Sequence, residues 1–225
     1  MNLSLLKRLA SKMSPSWQWE MKRYRYRRQI LRDRFTMGDH GEPECEILDS
    51  FISPGDWVID VGANVGHYTK RMSDIVAEHG RVIAFEPVID TFSLLAANAQ
   101  HFRYQNVTLL NVAASDRCGV TGISIPRFEN GLTNYYEATL TESTDGLQVM
   151  TLPIDLLRLT SPIRLVKIDA EWHELSVLKG MSQLLSRDKP IVIIELSSQE
   201  PQSFLLDLGY SKETLRGSQN HIFRA

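Results

Sequence analysis

Residues 57–66, Trp-Val-Ile-Asp-Val-Gly-Ala-Asn-Val-Gly, decide the fold of this chain. The first five are β-rich and apolar, which is typical of a strand buried on both faces of a parallel sheet. The glycines then turn the chain into a helix expected over residues 67–77, and the start of such a helix presents unpaired backbone amides. A buried strand, a glycine-rich turn and a helix in this order predict a nucleoside-cofactor site.

The acid in this turn indicates which cofactor the site prefers. A dinucleotide site requires Gly-x-Gly-x-x-Gly and places a pyrophosphate on the helix end. Here Asn64 occupies the second glycine position, and the third glycine comes one residue early, at Gly66. A carboxylate at Asp60 would repel pyrophosphate, whereas S-adenosylmethionine carries an ammonium and a sulfonium and no phosphate. We therefore predict an S-adenosylmethionine site that includes Asp60, Gly62, Asn64 and Gly66; an ordinary strand-to-helix turn is the alternative.

A second acid follows the next strand. Residues 81–85 form a short apolar run that ends on Glu86, twenty residues beyond Gly66. This is where a βαβ unit presents an acid to the ribose of its ligand. Charge-assisted hydrogen bonds of this kind are worth about 1.5–3 kcal/mol each. We predict that Glu86 accepts from both ribose hydroxyls; a solvated acid at a strand end is the alternative.

The rest of the chain alternates strands with helices, which is the pattern of an α/β doubly wound sheet. Further strands are expected over residues 106–112, 163–168 and 191–196, and two more over 210–215 and 221–224. Helices are expected over 90–102, 154–159, 173–185 and 201–208. Residues 126–146 lack periodicity, and a loop of that length predicts a lid over the methyl acceptor.

Five ordered pieces of the sequence resemble the FkbM family of S-adenosylmethionine-dependent methyltransferases. They are residues 54–56, 58–69, 85–87, 111–116 and 167–171, the last followed by Glu174 and by residues 178–180. The resemblance runs from about Glu44 to the C-terminus. It implies a Rossmann-like class I methyltransferase fold with a mostly parallel sheet and a C-terminal antiparallel hairpin at the sheet edge. It also implies cofactor contacts from Tyr68, Asn111, Ala113 and Asp169.

One position departs from the family pattern. The family has a glycine after the glutamate of the Lys-Ile-Asp-x-Glu element, and this chain has Trp172. A bulky indole where the backbone usually passes close to another group alters the shape of the local pocket. We therefore expect Trp172 to influence which acceptor is used.

The segment after the fourth strand carries the predicted chemistry. Ligands of open α/β sheets lie beyond the carboxyl ends of the strands, which puts Asp169, Glu171 and His173 beside the methyl group. Asp169 would hold the methionine ammonium or the acceptor, and Glu171 or His173 would take the proton of an acceptor hydroxyl. A helix-start role without chemistry is the alternative for Glu171 and His173. We predict no metal site, because three ligands from one short segment need a geometry that the sequence does not guarantee.

Composition and charge predict a cytoplasmic protein with a basic N-terminal extension. The chain has 225 residues with 43% hydrophobic content and a net charge of −2, yet residues 1–35 carry ten Lys or Arg against two acids. Its two cysteines, Cys45 and Cys118, lack metal-ligand spacing, so reduced thiols are expected, with one disulfide as the alternative. No apolar run approaches the roughly 20 residues that span a bilayer, and Lys7, Arg8 and Lys12 interrupt a signal-peptide core.

We divide the chain into a basic helical extension over residues 1–40 and a methyltransferase domain over residues 41–225. The extension either packs on the domain, caps the substrate, or binds a polyanion such as nucleic acid or an anionic membrane surface. An RNA substrate is disfavoured, because nothing in the catalytic part resembles a nucleic-acid-binding module. No feature indicates the oligomeric state.

The sequence therefore predicts an S-adenosylmethionine-dependent methyltransferase. The family resemblance implies O-methylation of a hydroxyl on a sugar or a secondary metabolite. The alternatives are N-methylation, an RNA- or polyanion-directed reaction that uses the basic arm, an NAD-dependent enzyme on the same fold, and a catalytically inactive cofactor-binding module.

Overall fold

The computed structural model describes residues 14–35, 42–128, 133–143 and 145–225. Its helices are α1 (Pro15–Ile30), α2 (Pro43–Glu46), α3 (His67–Val76), α4 (Ile89–Ala99), α5 (Glu174–Lys179), α6 (Ser182–Asp188) and α7 (Glu200–Asp207). Its strands are β1 (Trp57–Val61), β2 (Arg81–Phe85), β3 (Val107–Leu110), β4 (Ala113–Ala114), β5 (Gly119–Ser124), β6 (Thr139–Thr141), β7 (Gln148–Leu152), β8 (Ile163–Ile168), β9 (Ile191–Glu195), β10 (Ser211–Thr214) and β11 (Asn220–Arg224). Short 3₁₀ helices cover Leu48–Ser50, Tyr135–Glu137 and Ile154–Leu157.

The main sheet has the strand order β10-β11-β9-β8-β1-β2-β3. Strands β9 to β3 in this order are parallel, and β10 and β11 form an antiparallel hairpin that joins the edge at β9. In the register of the central strand, Val61 stands opposite both Phe85 and Ile168. The residues that follow these three strand ends therefore lie at one edge of the sheet. The predicted doubly wound fold and its C-terminal hairpin are confirmed.

Helices cover both faces of this sheet, because successive side chains of a strand point to opposite faces. On one face Val61 and Val166 pack in a core cluster with Leu178 of α5 and Leu184 of α6. On the other face Val58, Leu165 and Ile193 pack with Met72 and Val76 of α3. Burial on both faces explains why these strands are nearly continuous apolar runs in the sequence.

A second sheet has the strand order β4-β7-β5-β6. Strand β5 runs antiparallel to both β6 and β7, and β4 runs parallel to β7. Its inner side chains Ile123 and Val149 pack on Ala113 and on Val88, which follows β2. This contact attaches the small sheet to the carboxyl end of the main sheet.

Three sequence predictions need correction. The helix expected over residues 173–185 is two helices, α5 and α6, which are separated at Gly180 and Met181. A Cβ on Gly180 would lie 1.8 Å from the carbonyl oxygen of Ser115, so the chain passes that loop in close contact. The helix expected over 154–159 is a short 3₁₀ helix that ends at Leu157, because the next residue, Arg158, has a left-handed backbone (φ 49°). The stretch 126–146 is not a featureless loop, because it contains a 3₁₀ helix and β6.

The N-terminal part is helical where it is described. Helix α1 packs against α4, and Tyr26 and Ile30 are buried with Phe35, Leu94 and Phe102. Residues 1–13 and 36–40 of the predicted extension lie outside the described residues. The division at residue 40 stays a prediction.

Both cysteines are free, with Cys45 half-buried and Cys118 exposed. Within the described ranges, no helix is both long enough and apolar enough to cross a membrane.

Candidate active site

A cleft with about 670 Å³ of empty volume lies between the carboxyl edge of the main sheet and the small sheet. Side chains and backbone from the turns after β1, β2 and β8 form one wall. The small sheet and the 3₁₀ helix Tyr135–Glu137 form the other. The predicted site residues that line this cleft are Gly62, Asn64, Glu86, Ala113, Asp169, Glu171 and His173. The remaining predicted residues, Asp60, Gly66, Tyr68 and Asn111, are not among the residues that line it.

The turn after β1 has the left-handed backbone that its composition predicts. Gly62 (φ 78°), Asn64 (φ 49°) and Gly66 (φ 97°) all have positive φ, and asparagine tolerates this region better than most residues. A Cβ on Gly62 would lie 1.9 Å from the backbone oxygen of Asp169. A Cβ on Gly66 would lie 2.6 Å from Leu95 Cδ1. Both glycines therefore permit close packing within the protein.

Asp60 lies beneath the turn and not in the cleft. Strand alternation directs its side chain towards α3, where its Oδ2 accepts a hydrogen bond of 2.5 Å from Thr69 Oγ1. The residue is 2% exposed. Burial raises the pKa of Asp60 to about 6, although the Thr69 hydroxyl and Lys167 oppose the shift. The sequence predicted a carboxylate that points into the turn. The structure places this acid behind the turn, where it is buried.

Glu86 lines the cleft at the end of β2 and is held firmly. Its Oε2 accepts from the backbone N–H of Asn64 (2.7 Å). Its Oε1 accepts from the backbone N–H of Val88 (2.9 Å) and from Thr91 Oγ1 (2.7 Å). Burial raises the pKa of Glu86, and these three donors act in the opposite direction. An ionised carboxylate has about four acceptor positions, so one is left for a ligand.

Asn111 supports the same strand end from behind. Its Nδ2 donates to the carbonyl oxygens of Glu86 (2.9 Å) and Pro87 (3.0 Å). The side chain thus fixes the backbone that carries Glu86. The predicted cofactor contact of Asn111 stays a prediction, and in this structure its side-chain NH2 group binds the protein backbone.

Tyr68 belongs to a buried polar cluster behind Asp169. Its hydroxyl donates to Glu42 Oε2 (2.6 Å), and Asn220 Nδ2 donates to the same oxygen (2.6 Å). Lys167 Nζ donates to Asn220 Oδ1 (3.0 Å) and lies 3.9 Å from Asp169 Oδ2. With its side chain only 1% exposed, Lys167 is a buried cation directly behind a carboxylate that faces the cleft. Tyr68 is therefore linked to Asp169 through Glu42, Asn220 and Lys167, and its predicted cofactor contact stays a prediction. The sequence did not assign a role to Lys167.

The segment after β8 brings its predicted residues to the cleft as expected. Asp169, Glu171 and His173 all line it. Burial, followed by the charges of Asp169 and Glu195, raises the pKa of Glu171 to about 7. A carboxyl group with such a pKa can hold or release a proton near neutral pH, which suits a general base.

His173 and Trp172 differ in their surroundings. Nε2 of His173 shares a hydrogen bond of 2.9 Å with Ser115 Oγ, and burial lowers the pKa of this imidazole. Trp172 is 73% exposed and has a left-handed backbone (φ 64°). Its amide donates to Glu174 Oε1 (3.1 Å) and to Ser197 Oγ (3.3 Å). A positive φ explains why a glycine suits this position and why a tryptophan is strained there.

The small sheet and the 3₁₀ helix Tyr135–Glu137 contribute lining residues that the sequence did not predict. Tyr135 and Tyr136, together with Ile123 and Leu140, face the cleft opposite Glu86 and Asp169. The Tyr135 hydroxyl donates to Asp90 Oδ2 (2.8 Å) at the start of α4. The sequence feature that could have indicated this wall is the pair of adjacent tyrosines in an otherwise polar stretch.

The electrostatic character of the cleft is acidic. Among the described residues, its titratable lining groups are Glu86, Asp169, Glu171, His173, Tyr135 and Tyr136, with no Lys or Arg. The described residues also contain no group of three His, Cys, Asp or Glu side chains placed to hold a metal ion. Such a lining favours a cationic ligand over a phosphate.

The strand order and the cleft define a class I methyltransferase fold. The sequence model of the methyltransferase FkbM domain matches residues 60–214, which is more than half of the chain. The chain therefore belongs to the FkbM methyltransferase family. This confirms the family to which its motifs pointed.

Two known proteins are similar to this chain. It is 31% identical over 145 residues to the hexuronic acid methyltransferase AglP of Haloferax volcanii, a match that covers 63% of this chain and 56% of that protein. The chain thus spans little more than half of the curated relative it matches. A crystal structure of the methyltransferase FkbM from Methylobacillus flagellatus shares the fold, with a TM-score of 0.52 and 18% identity. That match covers 77% of this chain and 44% of the other.

Proposed function

We propose that the protein is an S-adenosylmethionine-dependent O-methyltransferase that acts on a hydroxyl of a sugar, with a hexuronic acid as the first candidate. The acidic lining of the cleft carries the cofactor part of this proposal, and the hexuronic acid methyltransferase relative supports the acceptor part. S-adenosylmethionine brings an ammonium and a sulfonium, whereas NAD brings a pyrophosphate that carboxylates would repel. The glycine-x-asparagine turn also departs from the dinucleotide pattern.

The proposed cofactor site uses the first wall of the cleft. The free acceptor position of Glu86 would take one ribose hydroxyl, so we now expect one bond where the sequence suggested two. Asp169 would bind the methionine ammonium, and the buried cation of Lys167 behind it would keep its carboxylate in place. Asp60 would contribute charge from beneath the turn without touching the ligand.

The proposed reaction needs orientation and one base. The cofactor supplies an electrophilic methyl group with a good leaving group. An acceptor oxygen held about 3–3.5 Å from the methyl carbon, in a site with little water, is well placed for in-line attack. As the new C–O bond forms and the C–S bond breaks, Glu171 would take the hydroxyl proton. His173, hydrogen-bonded to Ser115, would orient the acceptor or take the proton in place of Glu171.

The acceptor class follows from the family relative. AglP is a hexuronic acid methyltransferase, and the same class of acceptor is the simplest proposal for this chain. An RNA or other polyanion acceptor is the second candidate, favoured by the exposed basic groove of Arg27, Arg28 and Arg32 on and after α1. The cytoplasmic location expected from the sequence stays a prediction.

A transfer assay separates these candidates. The purified chain would be incubated with S-adenosylmethionine that carries a labelled methyl group, and with glucuronic acid, galacturonic acid, glucose or total RNA. We expect label in a hexuronic acid or a glycan that contains one. Label in RNA alone would support the second candidate. Binding of S-adenosylhomocysteine without transfer to any acceptor in a broad glycan panel would point to an inactive cofactor-binding module.

A further inference from the structure

Helix α1 contacts the wall of the cleft that lies opposite the glycine turn. We call residues 133–141 the lid; it contains the 3₁₀ helix Tyr135–Glu137 and β6. The ring of Trp19 on α1 lies against the ring of Tyr135, with centroids 5.8 Å apart and planes tilted by 57°. The cation of Lys22 lies over both rings, 4.7 Å from the centroid of Trp19 and 5.3 Å from that of Tyr135.

Helix α4 fixes the same tyrosine from its other end. Asp90 at the start of α4 accepts from the Tyr135 hydroxyl at 2.8 Å. One turn further along α4, Ser93 Oγ accepts from Arg23 Nη2 at 2.8 Å. Asp90 comes only four residues after Glu86 in the sequence. Helix α1, the lid and α4 therefore meet beside the end of the cleft where the proposed ribose acid lies.

The contact is specific to one face of α1. Trp19 and Lys22 face the lid, whereas Trp17 is 59% exposed and Tyr24 lies in the outer basic groove. Burial lowers the pKa of Lys22, with Arg25 as a further cause and Asp90 opposing it. A partly desolvated ammonium over two aromatic rings interacts with them more strongly than it would in water. The inner face of α1 thus holds the lid through one aromatic contact and one cation.

We propose that α1 is a positioning element of the cofactor site. Trp19 and Lys22 hold Tyr135 against the cleft, so the basic N-terminal helix sets the affinity for the adenosine end of the ligand. This inference rests on the proposed function. It assigns a role to a segment outside residues 60–214, the part matched by the family. It also favours the capping alternative for the extension, with capping exerted through the lid.

Paired tryptophan variants test the proposal, because the two residues lie on opposite faces of one helix. S-adenosylhomocysteine would be titrated calorimetrically into the full chain and into its Trp19→Ala and Trp17→Ala variants. Thermal unfolding would be measured on the same samples. We expect Trp19→Ala to weaken binding about tenfold or more, and Trp17→Ala to leave it within about twofold. Trp19→Phe, which retains an aromatic ring, should recover most of the affinity.

Lys22 and Tyr135 variants keep the test decisive if Trp19→Ala does not fold. Lys22→Met retains the side-chain length and removes the cation, and Lys22→Arg retains the charge. We expect weaker binding for the first and nearly normal binding for the second, with Arg28→Met as the control on the outer groove. Tyr135→Phe keeps the ring, removes the hydroxyl that donates to Asp90, and should have an intermediate effect.

The outcomes distinguish the inference from the function on which it rests. If the intact chain binds S-adenosylhomocysteine and the inner-face variants bind it as well as their outer-face controls do, α1 has no positioning role. If affinity falls in every variant in proportion to lost thermal stability, the effect is general destabilisation and the proposal is wrong. If the intact chain binds no S-adenosylhomocysteine, the proposed function fails and the inference fails with it.

Discussion

The two walls of the cleft are built differently. The first wall consists of strand ends in the main sheet, where Gly62, Glu86 and Asp169 are placed by the register of β1, β2 and β8. The second wall consists of the lid and the small sheet, and Tyr135 is placed by contacts to α1 and α4. Backbone packing fixes the first wall, and individual side chains fix the second. Substitutions that crowd the backbone of the first wall should therefore lower stability, whereas substitutions of the side chains that hold the lid should lower ligand affinity.

The largest effect is expected at Gly62. An alanine there would place its Cβ 1.9 Å from the backbone oxygen of Asp169, in addition to the strain of a positive φ. We expect Gly62→Ala to lower the free energy of unfolding by about 4 kcal/mol or more. Gly55→Ala is the matched control, because Gly55 also has a positive φ (96°) but a Cβ there would meet nothing within 4 Å. It should cost about 1–2 kcal/mol. Equal losses in urea unfolding would show that crowding at Asp169 is unimportant.

Variants of Glu171 test whether a residue of the first wall removes the proton from the acceptor hydroxyl. Because burial and neighbouring acids raise its pKa to about 7, the carboxylate is protonated at lower pH and cannot act as a base. Methyl transfer should therefore rise as the pH rises through about 7. Glu171→Gln should lose about 10²–10⁴ in rate, with S-adenosylhomocysteine affinity unchanged. His173→Ala is the paired variant: if only that variant is slow, the roles of the two residues are exchanged.

Asp60 tests the charge placed beneath the turn. Its pKa is raised from 3.8 to about 6 in the folded protein, so between these values the folded state binds more protons than the unfolded state. Wild-type stability should fall as the pH rises through that window. Asp60→Asn removes the effect, and at pH 8 it should be more stable by up to about 3 kcal/mol. Thermal unfolding at pH 3 and pH 8 measures the difference, which should be near zero at pH 3. A variant less stable at pH 8 would contradict this.

The smallest effect on stability is expected at Trp172. Trp172→Gly relieves a left-handed backbone (φ 64°) but gains freedom in the unfolded chain, so stability should rise by no more than about 1 kcal/mol. Cofactor affinity should be unchanged, because the ring is exposed and does not line the cleft. Its sequence neighbours Glu171 and His173 line the cleft, so the exposed ring can contact a part of the acceptor that projects from the cleft, and the preference among sugar acceptors should change. Loss of S-adenosylhomocysteine binding would place Trp172 in the cofactor site.

The contrast between the walls also explains what the sequence could predict. Strands β1, β2 and β8 are apolar runs buried on both faces, and their predicted bounds match the observed ones. The turn residues Gly62, Asn64 and Gly66 were recognisable because a positive φ restricts composition. Glu86, Asp169, Glu171 and His173 follow directly from these elements, so they were found at the cleft.

The rest depends on contacts between distant segments. Strand β6 has only three residues, and Gly119 and Gly122 in β5 weaken the alternation that marks a strand. Lys167 lies inside an apolar strand, and only the folded chain shows that it faces Glu42 and Asn220. Strand alternation placed Asp60 behind the turn, and the amide of Asn111 is used by the backbone of Glu86 and Pro87. None of these partners is near in sequence.

The central claim is that the acidic first wall binds S-adenosylmethionine, and calorimetric titration of Glu86→Gln tests it most directly. This variant retains the shape of the side chain and removes one carboxylate oxygen, and Thr91→Val serves as a control that loosens Glu86 from inside the protein. We expect the wild-type chain to bind S-adenosylhomocysteine and not NAD. Glu86→Gln should bind about 10–150-fold more weakly, and Thr91→Val should retain most of the affinity. Binding of NAD, or equal S-adenosylhomocysteine affinity in wild type and Glu86→Gln, would contradict the account.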